Sequence, residues 1–240
     1  MPAPALGVAN TVAAFKPAAG MATAAKVLLG INAVTAGIFG VFRLMERGVL
    51  TDFRNGVAPL QDLLDSDSRL NSIYRIMQIS WLASIIVFIV WFHRCRKNAA
   101  ALGDDVPYKP GMAIGCWFIP LADLVMPAQI AVAMWRSDGA GKNRSAGPVI
   151  LWWLAFIGGF IVRAVGESSY TDGVLALRRG LDSVGSFDKI LSGDSVSAVG
   201  SFVLAVAAVL AILVVNGLSK SQDQRFTTLT AGGDGVAYRL

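Results

Sequence analysis

Cysteine and histidine are nearly missing from this chain: among 240 residues there are two of the first and one of the second. That scarcity excludes a disulfide framework. It also leaves His93, Cys95 and Cys116, even with Asp104 or Asp105 beside them, without any of the ligand spacings of a zinc site. Charge is scarce too. Asp, Glu, Lys and Arg make up 15% of the residues and hydrophobic residues 55%, whereas a soluble domain devotes about a quarter of its residues to charge. No P-loop, dinucleotide fingerprint, paired-carboxylate site or serine with an assigned base is present, and Gly139-Ala140-Gly141-Lys142 lacks both the Walker spacing and the hydroxyl that follows it. The residues therefore point to no catalytic set, no metal and no cofactor.

What the chain has in abundance is apolar sequence, with a mean hydropathy of +0.58, gathered into windows at 27–42, 76–92, 111–135, 145–162 and 195–218. This is the pattern of helices solvated by lipid. It predicts an all-α, polytopic membrane helical bundle of four to five segments within residues 22–218. A loosely ordered lead-in over 1–21 and a polar tail over 219–240 flank it. The first window is followed by Arg43, Glu46 and Arg47 instead of a small-residue cleavage site, so it reads as a retained span and not an export signal. Its sixteen uncharged residues rise only about 24 Å as a helix, which predicts that Lys26 and Arg43 snorkel toward the surfaces. Gly30, Gly37 and Gly40 are expected to form a close-packing face.

Residues 43–75 read as a polar connection carrying a short surface helix that starts at Pro59, with Asp67 or Ser68 capping the helix of the second window. Trp91 beside Arg94, Arg96 and Lys97 has the form of a lipid interface, an amphipathic aromatic next to head-group cations. The third window is broken by Pro120, Asp123 and Pro127, and reads as a kinked span, a pair of half-helices or a re-entrant element. Trp152 and Trp153 in the fourth window are expected near an interface. Residues 163–194 hold too many charges to span lipid. A short amphipathic helix around 174–184, broken by Gly180 or ended by Gly185, is expected there. The fifth window, uncharged for twenty-four residues, is a span.

The formal charge of +5 is spread over the window ends instead of forming one stripe, which favours anionic lipid head groups over nucleic acid. With the N-terminus cytoplasmic and the third window returning to its own side, twelve Lys and Arg fall inside and nine outside. If that window crosses, the numbers are ten and eleven, with no inside preference. Arg94 to Lys97 is cytoplasmic in both arrangements.

The phrases Trp91-Phe92-His93-Arg94, then Asn98, Leu102 and Gly103, then Pro110 through Leu124 with Trp117-Phe118-Ile119-Pro120 at its centre, then Pro127 and Trp135-Arg136-Ser137, occur in one order. In that combination the chain resembles the bacterial, mostly actinobacterial, membrane proteins of domain of unknown function 4328. The resemblance covers about residues 22–225, with Gln222 and Arg225 similar to the family's glutamine-containing tail. It implies a multi-span helical domain in a bacterial cell membrane, and no reaction or ligand. This chain has Asp123 where the family pattern has asparagine, and Cys116 near an expected aromatic.

Asp123 is the sharpest single residue, because an acid in apolar surroundings needs a cation, hydrogen bonds, water or a proton. Set between Pro120 and Pro127, it is expected to share a polar pocket with Trp117 and Gln129; its functional reading is an ion, proton or solute contact, its structural reading a clamp on a kink. Arg163 is a boundary cation able to reach it. His93 and Arg94 read more plainly as head-group contacts than as a proton relay. Three functions follow in order: a scaffold or accessory subunit of a membrane complex, bound to a membrane-protein partner or a second copy; a small transporter or channel-like module using Asp123; and a membrane enzyme.

Overall fold

The computed structural model describes residues 14–137, 144–181 and 183–237, without the side chains of 183 and 232–237. The expectations for the first thirteen residues and for the stretch Gly139 to Lys142 lie outside that range. Among the described residues every regular element is helical: α1 (Ala19–Arg54), α2 (Leu60–Ala101), α3 (Met112–Gly115), α4 (Ala122–Arg136), α5 (Gly147–Arg178) and α6 (Ser183–Ala237). Four of these, α1, α2, α5 and α6, are long and apolar enough to cross a membrane. Only 28% of the most apolar window is buried in each of the first three, and 39% in α6. The rest is an apolar surface of a size that water does not tolerate and lipid does. The chain is a polytopic membrane protein.

The spans agree with four of the five windows, but the helices run far past them. With 36, 42, 32 and 55 residues, they reach about 48–83 Å at 1.5 Å per residue, against a hydrocarbon core of about 30 Å. The charged stretches expected to be connections are therefore mostly helix. Residues 43–54 continue α1 and 60–75 begin α2, leaving only 55–59 as a turn, with Gly56 at φ 74°. Asp67 and Ser68 are inside α2 and cap nothing. Residues 163–178 continue α5, Gly180 at φ 69° makes the turn, and Gly185 lies within α6. Residues 219–237, expected as a loose tail, are helical. The third window holds the four-residue α3, a turn and the fifteen-residue α4.

Packing divides the chain into two compact units, and each long helix has residues in both. Unit 1 comprises Met1–Leu28, Ala83–Trp152 and Leu210–Leu240; unit 2 comprises Leu29–Leu82 and Trp153–Val209. Their charges differ: unit 1 has twelve Lys or Arg and six Asp or Glu, unit 2 nine and ten.

The core of unit 1 is aromatic. Phe88 contacts Trp91, Phe92, Trp117 and Trp152 with ring centroids 5.1–6.0 Å apart, within the range in which aromatic pairs attract. Trp91 and Trp152 are buried in this core, so their rings pack on protein and not on lipid. The Trp91 indole N–H can leave water because it donates to Ser219 Oγ at 2.8 Å. The segment before α1 is held as well: the Lys16 backbone N–H and carbonyl both bond the Asn98 side chain, at 3.1 and 2.9 Å, and Phe15 stacks on Phe226.

Unit 2 is organised by a glycine seam between α5 and α6. Gly159, Gly166 and Gly173 recur every seven residues on α5, and Gly193 and Gly200 do so on α6. A Cβ at Gly166 would strike the Ser197 backbone, one at Gly193 would lie 2.6 Å from Tyr170 N and 2.8 Å from Gly166 O, and one at Gly200 would strike Arg163. Two backbones this close require glycine on both sides. The face expected at Gly30, Gly37 and Gly40 is not such a seam: only Gly40 meets a neighbour, Phe202 and Ala198, and the other two have open space. Trp153, like its neighbour, is buried, packed against Phe156.

Candidate functional site

The residues singled out in the third window lie in unit 1, on the connector that runs from Leu102 to Ala146. Arg96, expected among the head-group cations, is buried and donates through Nη2 to the carbonyls of Val106 at 2.8 Å and Tyr108 at 2.6 Å. His93 Nδ1 lies 2.9 Å from the Pro110 carbonyl, and Arg94 donates weakly to the Pro17 carbonyl at 3.3 Å. The His93 and Arg96 contacts tie the end of α2 to the connector, and the Arg94 contact ties it to the segment before α1. Tyr108, at φ 66°, then turns its hydroxyl to donate to Gln129 Oε1 at 2.6 Å.

The polar pocket expected around Asp123 is not assembled by hydrogen bonds. The Trp117 indole donates to the carbonyl of Ala113 at 3.1 Å, and Gln129 accepts from Tyr108. Asp123 is half-buried in the first turn of α4, where a carboxylate meets the positive end of the helix. Among the described residues its side chain has no hydrogen bond or ion pair. Pro127 is fully buried within α4, whereas Pro120 is exposed in the turn before it, next to Leu121 at φ 67°. The same turn exposes Phe118 (72%) and Leu121 (78%), with Ile119, Leu124 and Val125 also outward.

A second polar constellation, in unit 2, went unnoticed in the sequence. The Arg43 guanidinium is buried among three carboxylates: Nη1 donates to Glu46 Oε2 at 3.1 Å and Asp194 Oδ1 at 3.0 Å, and Nη2 to Glu167 Oε2 at 2.6 Å. It does not snorkel, because its charge is satisfied inside the protein. The Tyr170 hydroxyl donates to Glu46 Oε1 at 3.2 Å and the Ser197 hydroxyl to Glu167 Oε1 at 2.7 Å. The guanidinium also lies 4.5 Å from the centroid of the Tyr170 ring. Arg163 approaches Glu167 at 3.9 Å and the rings of Phe39 and Tyr74 at 5.7 and 5.9 Å; its ionic partner is thus Glu167 and not Asp123.

The seam builds this cluster. Glu167 follows Gly166 and Asp194 follows Gly193, so the contact that only glycine allows brings the two acids to one guanidinium. The readable signal was the placement of opposite charges just beyond the windows: Arg43, Arg163, Glu167 and Asp194 all fall within a turn or two of an uncharged run.

The family described as Domain of unknown function (DUF4328) matches residues 58–220. The chain belongs to this family. No curated protein and no solved structure matches it. The DUF4328 match takes in α2, the connector, α5 and most of α6. It therefore contains His93, Arg94, Asp123, Glu167 and Asp194, while Arg43 and Glu46 lie before it on α1. Neither constellation holds a metal-ligating set: among the described residues no group of three or more His, Cys, Asp or Glu is placed to hold an ion.

Proposed function

We propose that this DUF4328 protein is an accessory or scaffold subunit of a complex in a bacterial cell membrane, and that its connector is the docking element. The observation that carries this reading is the exposed apolar run Phe118, Ile119, Leu121, Leu124 and Val125 beside Asp123, whose side chain has no hydrogen bond or ion pair among the described residues. A neighbouring membrane helix that offers an apolar face and one cation satisfies both at once. In this reading the connector dips into the bilayer and returns, with Pro120 and Leu121 at its tip. The basic composition of unit 1 supports a cytoplasmic placement of the connector's ends against anionic head groups.

A photo-cross-linker at Leu121, used in native membranes, tests it. One membrane protein is expected in the adduct, and Leu121→Asp is expected to abolish its co-purification. Adducts with lipid alone contradict the scaffold reading.

A second reading is favoured by Asp123 itself, a half-buried carboxylate without a partner among the described residues: a small transporter that binds a proton, ion or solute there. Reconstituted protein then moves that species across liposomes, and Asp123→Asn lowers the flux without lowering the folded yield.

A further inference from the structure

The cluster in unit 2 contains more negative than positive charge. Its charged groups come from every helix packed there: Arg43 and Glu46 from α1, Asp67 from α2, Arg163 and Glu167 from α5, and Asp194 from α6, with the phenol of Tyr170 beside them. Two guanidiniums face four carboxyl groups.

A second observation is independent of that count. Asp194 is 0% exposed, and although its Oδ1 accepts from Arg43, its Oδ2 is buried with no hydrogen-bond partner. An ionised carboxylate oxygen left bare among apolar neighbours is costly, and a proton removes the cost without needing a cavity. A metal ion would need several oxygens converging on it, which the described residues do not provide.

We propose that this cluster is a proton-binding site, with Oδ2 of Asp194 as the atom that takes the proton. The step forms one O–H bond, breaks none in the protein and transfers no electron; the aspartate goes from charged to neutral while Oδ1 keeps its bond to Arg43. The charged groups around it are Arg43, Glu46, Glu167 and Asp67. The inference holds whether or not the connector docks a partner.

Infrared spectroscopy of the full-length protein in nanodiscs tests it, by following the carbonyl stretch of a protonated carboxylic acid as pH is varied. At neutral pH the wild type is expected to show this band, isotope labelling of aspartate carboxyls to shift it, and Asp194→Asn to lose it. Asp172→Asn, at an exposed acid, is expected to keep it. Three results overturn the proposal: no such band at any pH at which the protein stays folded, a band that aspartate labelling leaves in place, or a band that sodium removes and choline does not. The labelling arm needs no variant, so a band that it leaves in place overturns the proposal even if Asp194→Asn does not fold.

Discussion

Arg43 and Glu167, 124 residues apart in the chain, meet at 2.6 Å in the shortest ion pair among the described residues of unit 2, and that pair fixes α1 against α5. Its partners differ in exposure: Asp194 and Glu46 are sealed off, while the Glu167 side chain is 31% exposed. Removing the shared cation strands buried carboxylates, and removing one partner of a buried pair costs about 3–5 kcal/mol. Arg43→Gln is therefore expected to lower the unfolding midpoint of the detergent-solubilised protein sharply. Glu167→Gln, which keeps an acceptor for Arg43 in a partly wetted position, is expected to lower it by much less. Equal effects of the two substitutions would remove Arg43 from the centre of the cluster.

The glycine seam makes a separate prediction. Gly166→Ala drives a methyl into the Ser197 backbone and is expected to cost stability. Gly37→Ala has open space around its new Cβ and a helix-propensity gain of up to about 1 kcal/mol. Unfolding curves of both variants should therefore move in opposite directions. A stabilised Gly166→Ala would show that α5 and α6 are not in backbone contact.

In unit 1, Arg225 grips Asp104 with two parallel bonds of 2.9 and 2.8 Å, joining α6 to the connector just after α2. Bidentate pairs of this kind are the strong ones. Asp104→Asn is expected to raise amide hydrogen exchange in α6 after Lys220 while leaving exchange around Gly193 unchanged. Exchange unaltered beyond Lys220 would mean that other contacts hold that stretch.

How much of this was legible in the sequence depends on what ended each apolar window. Lys26, Arg43, Arg75 and Arg163 bound the uncharged runs, and the runs of α1, α2, α5 and α6 were read correctly because hydrocarbon imposes length and apolarity together. Arg43 and Arg163 were misread as helix ends. Arg43 and Glu46 end the lipid-compatible stretch but not the helix, since they pair with Glu167 and Asp194, whose positions are set by a fold that spacing alone does not reveal. The seven-residue recurrence of Gly159, Gly166 and Gly173 was visible, yet its meaning rests on α5 continuing through Arg163. At the connector, Pro120 and Pro127 marked an irregular region, but not which groups would bond. Tyr108 reaches Gln129 only because its own backbone adopts a positive φ.

The most direct test of the whole account is sidedness. Four crossings put Lys109 and Lys220 on one side of the membrane and Val57 and Leu181 on the other; all four positions are exposed. The native Cys95 and Cys116 are free and buried, so they contribute little background. Single cysteines at the four positions, challenged with a membrane-impermeant thiol reagent in sealed vesicles of known orientation, should fall into those two pairs. Labelling of Lys109→Cys and Lys220→Cys from opposite sides, or of all four from the same side, would contradict the four-span arrangement.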